Sequence, residues 1–97
     1  MGDIHVERAH TLGLDEAKTR ARDLLEKFNQ KLSHLISDTG WNAEGTHGTA
    51  SGKMFTANFV VDENTVSVDI ALKGIAAKVM KGQIEKTMKE QLDRKFN

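Results

Sequence analysis

The sequence predicts one α+β domain of order β-α-β-β-β-α, an antiparallel meander sheet with two amphipathic helices packed on one face. Three observations predict it. Apolar residues recur every three or four positions over residues 15–36 and again over 75–95, the spacing of one helix face. Between Trp41 and Leu72 they alternate with polar residues, the spacing of one strand face. The 97 residues supply apolar material for one core and too little for two, so residues 1–97 are a single domain.

The first element is a strand over about residues 3–8, where Ile4 and Val6 alternate with His5 and Glu7. The segment Ala9–Gly13 then turns into the first helix. Ala17, Ala21, Leu24, Leu25, Phe28, Leu32, Leu35 and Ile36 share one face of it. Asp15 and Glu16 suit its positive N-terminal end. Glu16 with Arg20, Arg22 with Glu26 and Asp23 with Lys27 are spaced i,i+4 as ion pairs of a solvated outer face, and Asp38-Thr39-Gly40 supplies the stop. The period then changes to two. Trp41, Ala43 and Gly45 form one alternating set, Phe55, Ala57, Phe59 and Val61 a second, and Val66, Val68, Ile70 and Leu72 a third. A first turn falls within Gly48–Gly52, and Asp62-Glu63-Asn64 closes a tight hairpin between the last two strands. One face of this meander is apolar and the other mostly polar, the pattern of a sheet covered on one side. The second helix carries Ala76, Met80, Ile84, Met88, Leu92 and Phe96 in steps of four, with Ile75 and Val79 alongside. Lys81 with Glu85, Glu85 with Lys89 and Glu90 with Arg94 are again i,i+4 pairs. Gly82 weakens the helix interior by about 1 kcal/mol relative to Ala. The pattern leaves open where the first strand pairs.

Composition narrows the function classes. Lys plus Arg and Asp plus Glu each number 14, so global charge gives no reason to expect nucleic acid or an anionic membrane as a partner, and no basic stripe with aromatics appears. A neutral chain has weak colloidal repulsion, which favours self-association. The absence of cysteine excludes disulfides, thiolate metal sites and thiol nucleophiles, and suits a reducing compartment. The opening Met1–Arg8 has no apolar run and reads as no signal peptide. Val6 stands where a myristoylation signal needs Ser or Thr. No apolar stretch approaches the ~20 residues of a membrane span, so the expected location is the cytoplasm.

The near-motifs fail on spacing. Gly48-Thr49-Ala50-Ser51-Gly52-Lys53-Met54 has three residues between its glycines, no Ser or Thr after the lysine and a strand rather than a helix behind it. It reads as a hairpin turn and not as a phosphate-binding loop. His5, His10, His34 and His47 lie on separate elements and are expected to act as independent surface or boundary residues, with no metal or other cofactor. Ser33, Ser37, Ser51 and Ser67 have no nucleophile-elbow context, and Asp69 points to the polar sheet face, so no catalytic residues are assigned and no enzyme is expected. Arg8 and His10, at the exit of the first strand, are the candidate interaction residues. Either could cap the strand end or touch a partner.

The segment Ile4-x-Val6-x-Arg8-x-His10-x-Leu12-Gly13, followed by Glu16-Ala17 and an amphipathic helix, resembles the opening of the polyhydroxyalkanoic acid system family of small bacterial proteins. Trp41, Gly52, Val66-x-Val68 into Leu72, and Ile84 through Leu92-Asp93 extend the resemblance over nearly the whole chain. It implies a role near polyhydroxyalkanoate granules or their regulation, with no enzymatic activity and no catalytic residues to carry over. The leading expectation is therefore a non-enzymatic accessory or interaction protein, its polar sheet face or an exposed strand edge meeting a protein partner, the granule surface or a second copy of the chain. The alternative is a small apolar-ligand-binding domain, with a pocket between sheet and helices lined by Met80, Met88, Phe55 and Phe59.

Overall fold

Alternation of apolar and polar side chains lets a strand bury one face and wet the other, and four strands among the described residues do so. The computed structural model describes residues 3–96. Met1, Gly2, Asn97 and the side chains of Ala76 and Ala77 lie outside the described residues, and with them Ala76's place in the apolar stripe. Strands β1 (Ile4–Ala9), β2 (Asp38–Trp41), β3 (His47–Ser51), β4 (Phe55–Val61) and β5 (Thr65–Leu72) form one antiparallel sheet of order β1-β5-β4-β3-β2. The first strand, whose partner the pattern leaves open, pairs with the last: Ile4 faces Ile70 and Val6 faces Val68. Val68 in turn faces Phe59, Phe59 faces Gly48, and Gly48 faces Trp41. This row crosses the sheet on its covered side.

Three helical segments complete the described residues: α1 (Leu14–Lys31), α2 (Gly74–Val79) and α3 (Lys81–Phe96). The expected apolar stripes of α1 and α3 face the sheet, where Ala17, Ala21, Leu24, Leu25 and Phe28 are buried with Ile84, Met88, Leu92 and Phe96. Phe28 is the hub, its ring 5.7 Å from that of Phe55 and 6.2 Å from that of Phe59. A buried phenylalanine of this kind is worth about 3–5 kcal/mol against alanine.

Three expectations from the sequence change. The helix expected to run to residue 36 ends at Lys31, and a turn over residues 32–35 keeps Leu32 buried while the chain swings toward β2. The expected stop Asp38-Thr39-Gly40 is itself strand, pairing with Ser51, Ala50 and Thr49. Residues 42–46, expected to continue a strand from Trp41, form a turn, so the meander has four strands and its first turn precedes Gly48. The reason is local. The Asn42 side-chain carbonyl accepts the backbone N–H groups of Thr46 (2.9 Å) and His47 (3.1 Å), and Gly45 takes a positive φ of 74°. An asparagine side chain that satisfies two backbone donors closes a turn at the expense of a ladder.

Glycine permits two close approaches on the covered face. The Trp41 indole lies over Gly48, where an added Cβ would come within 2.8 Å of it. A Cβ on Gly52 would overlap the backbone carbonyl of Leu35 in the turn after α1. Gly52→Ala should therefore destabilise by about 1–3 kcal/mol or more, because backbone cannot yield as a side chain can. Gly40→Ala, with open space around it, should stay within about 0.5 kcal/mol. Gly82→Ala in α3, also in open space, should stabilise by about 0.5–1 kcal/mol. Urea midpoints of the three variants check this ordering, and equal losses at Gly52 and Gly40 would refute the close approach.

Candidate functional site

Arg8 and His10, the residues that stand out in the sequence, are both engaged within the fold. Arg8 shares the covered side of β1 with Ile4 and Val6, and at the strand's end it reaches α3. Its Nε donates to Asp93 Oδ1 (2.9 Å) and its guanidinium also donates to the Glu7 carbonyl. His10 is 8% exposed and packs against Phe96 with ring centroids 5.7 Å apart and the planes tilted by 47°. The Leu12 N–H donates to His10 Nδ1 (3.2 Å), so that nitrogen is an acceptor and the ring proton sits on Nε2, which donates to the Asp62 carbonyl (3.0 Å). The His10 N–H also donates to the Asn64 carbonyl (2.8 Å). These bonds clasp the end of β1 to the β4–β5 hairpin. A shallow cleft of about 320 Å³ beside them is lined by Ala9, His10, Thr11, Leu12 and Phe96.

The other sheet face is uncovered and polar. On it His5 Nδ1 lies 2.7 Å from Asp69 Oδ1, and Asn58 and Thr49 continue that row across β4 and β3. His47 sits on the same face at the start of β3, near Thr46 and Asn42, and His34 lies in the turn after α1. Among the described residues no three His, Asp or Glu side chains are grouped to hold a metal. The Gly48–Met54 segment is strand β3 and the turn into β4. Phe55, Phe59 and Met88 are fully buried around Phe28, and Met80 is half-buried against the same cluster. None of the four lines the clefts described here.

The feature that sequence reading misplaced is α2. By spacing, Ile75 and Val79 continue the apolar stripe of the second helix. In the fold they are exposed, at 84% and 81%, while Ile84 onward is buried. The helix breaks at Met80, between α2 and α3, so the residues before the break do not share the face of those after it. The junction that sets α2 off from the sheet is tied on three sides. The Leu72 N–H donates to Asp3 Oδ2 (2.8 Å), the Lys73 N–H to the Met54 carbonyl (2.7 Å), and Lys73 Nζ to the Gly52 carbonyl (3.1 Å). Gly74 follows with φ of +82°, which a side chain would strain. Ile75 and Val79, one helical turn apart, thus form an apolar step on the surface. Its sequence signal is an acid-free run from Ile70 to Ile84 that carries Lys73, Lys78 and Lys81. Apolar residues flanked by cations alone are the composition of an interfacial segment. No helix among the described residues is long and apolar enough to cross a membrane.

Comparison with known families gives a match. A family model described as "putative polyhydroxyalkanoic acid system protein" covers residues 4–96. Nothing matches among curated proteins or among solved structures.

The corner that receives His10 also holds a carboxylate whose pKa is lowered. Asp62 Oδ1 accepts the Asn64 N–H (2.9 Å), the Thr65 N–H (2.8 Å) and the Thr65 hydroxyl (2.9 Å). These bonds, the Asn64 N–H foremost and then the two from Thr65, hold its carboxyl below the ordinary value of 3.8. A lowered native pKa means that the carboxylate supports the fold above pH 3.8. That support is lost as pH falls below 3.8 through the native value. Asp62→Ala should lower stability at pH 7 and lessen its fall over that acid window. Unfolding midpoints between pH 2 and 7 test this, and parallel curves for variant and wild type would refute it.

Proposed function

The chain belongs to the polyhydroxyalkanoic acid system family, and we propose that its place in that system is as a non-enzymatic accessory protein that sits on the polyhydroxyalkanoate granule in the cytoplasm. The exposed apolar step Ile75/Val79 carries this reading. The fold has the means to bury large aliphatic side chains and buries those of α1 and α3, yet it leaves these two in water on a short helix held out by a fixed junction. A granule is a water-insoluble polyester body, and its surface offers apolar contact to such a step. Lys73, Lys78 and Lys81 beside it, with no acid between Asp69 and Glu85, favour a granule coat that carries negative charge. The polar sheet face stays free for a protein partner or a second copy. Arg8 and His10 act in this reading through the fold, by holding β1 to α3 and to the β4–β5 hairpin.

Sedimentation of the purified chain with isolated granules tests the proposal. Burying two aliphatic side chains contributes about 1.5 kcal/mol each, so Ile75→Ser/Val79→Ser should weaken granule binding by at least about tenfold. Its thermal unfolding should be unchanged, since both side chains are exposed. The proposal fails if the wild-type chain stays in the supernatant, or if the double variant sediments as well as wild type.

A further inference from the structure

We infer that the cleft between the last turns of α1 and α3 is a binding site for a small phosphorylated polyanion. The cleft has a volume of about 350 Å³ and is lined by Lys27, Gln30, Lys31, Gln91, Arg94 and Lys95. That volume is at the small end of ligand pockets, and no carboxylate lines it.

Four cations meet there because the expected charge pairing does not form. By spacing, Asp23 would neutralise Lys27 and Glu90 would neutralise Arg94. Among the described residues the ion pairs are His5–Asp69, Arg8–Asp93, Arg20–Glu16 and Lys89–Glu85, and none includes a cation of the cleft. Asp93, next to Arg94, is engaged by Arg8 from β1 instead.

Cations near helix C-termini have an ordinary structural use, since they complement the negative end of the helix dipole, and that use has to be set against the excess here. Lys31 stands in the last turn of α1, and Arg94 and Lys95 in that of α3. Each helix end contributes about −0.5 of a charge, so four side-chain cations leave a surplus of about +3. One of the end carbonyls is already satisfied. Arg20 Nη1 donates to the Lys95 carbonyl at 2.8 Å and fixes the last turn of α3 beside α1.

The second observation is Gln91. Its side chain lines this cleft although the residue is only 3% exposed, one of two buried polar residues in the described core. Among the described residues its side chain makes no hydrogen bond, and it lines the cleft. A buried residue's amide beside an arginine and three lysines supplies hydrogen-bond donors together with charge. Arginine bonds phosphate through two N–H groups at once, and lysine adds charge without a fixed direction. A ligand with several negative oxygens, such as a pyrophosphate group, uses this set more fully than a single carboxylate does. The cleft lies at the opposite end of α3 from α2, about 20 Å away by helix rise, so it is independent of the granule contact and can be filled while that contact is made.

Titration of the ¹⁵N-labelled chain with inorganic pyrophosphate, read by amide NMR shifts against sodium chloride of equal ionic strength, tests the site. Saturable shifts are expected at Lys27, Gln30, Lys31, Gln91, Arg94 and Lys95, the Gln30 and Gln91 side-chain amides included. Pyrophosphate should bind more tightly than phosphate or citrate. Lys31→Ala/Arg94→Ala should weaken binding at least about tenfold, and Lys27→Gln/Lys95→Gln, which keeps most of the side-chain bulk, should do the same. Lys86→Ala on the outer face of α3 should leave it unchanged. The site is overturned if shifts do not saturate, if they match those from sodium chloride, or if both double variants bind as wild type does. It is also overturned as a small-ligand site if a short oligonucleotide binds more tightly than pyrophosphate through residues outside the cleft.

Discussion

The structure depends on one helical connection having to carry the chain from one edge of the sheet to the other. β1 and β2 are consecutive strands, yet they lie at opposite edges of the sheet, and α1 is the only element between them. Four strand spacings amount to about 19 Å, and eighteen helical residues span about 27 Å, so α1 is long enough for the connection. Phe28 anchors it by packing on Phe55 and Phe59 of β4, the middle strand. Where the chain leaves α1 it passes so close to β3 that Gly52 has no room for a side chain. β3 in turn offers Gly48 and Ala50 to the covered side, and Trp41 from the edge fills the space over Gly48.

Once α1 occupies one half of the covered face, α3 takes the rest beside β1, and the apolar stripes of the chain are committed to that side. The other sheet face stays polar, from His5 and Asp69 to Asn58 and Thr49. Besides that face, two further surfaces are left at the margins. α2 is offset by its tied junction and exposes Ile75 and Val79. The meeting of α1 and α3 brings Lys27 and Lys31 of one helix to Arg94 and Lys95 of the other. One suits an apolar boundary and the other a soluble anion.

Legibility followed the physical strength of each signal. β4 and β5 were readable because β-branched and aromatic residues alternate there over seven and eight residues. β3 was not, because its covered residues, Gly48 and Ala50, are chosen for lack of bulk, and small residues read as a turn. The Asp62 hairpin was readable from its turn chemistry, whereas the Asn42 turn was hidden behind an apparent alternation through Ala43 and Gly45. Arg8 and His10 were visible as a polar pair at a strand exit. Their partners, Asp93 and Asp62, lie 85 and 52 residues away, so their work as fasteners was not visible. Ile75 and Val79 were seen as apolar and placed on the wrong surface, since helical spacing carries no information about a break at Met80.

By itself the sequence determined the α+β class, the stripes of α1 and α3, the one-sided sheet and the family resemblance, because each is written in local periodicity or in residues close together along the chain. The tertiary structure alone decided that β1 pairs with β5, that Arg8 takes Asp93, and that four cations from two helices share a cleft with Gln91. Those outcomes depend on distances between residues far apart in sequence, and such distances are set by how α1 joins the two edges of the sheet rather than by any local pattern.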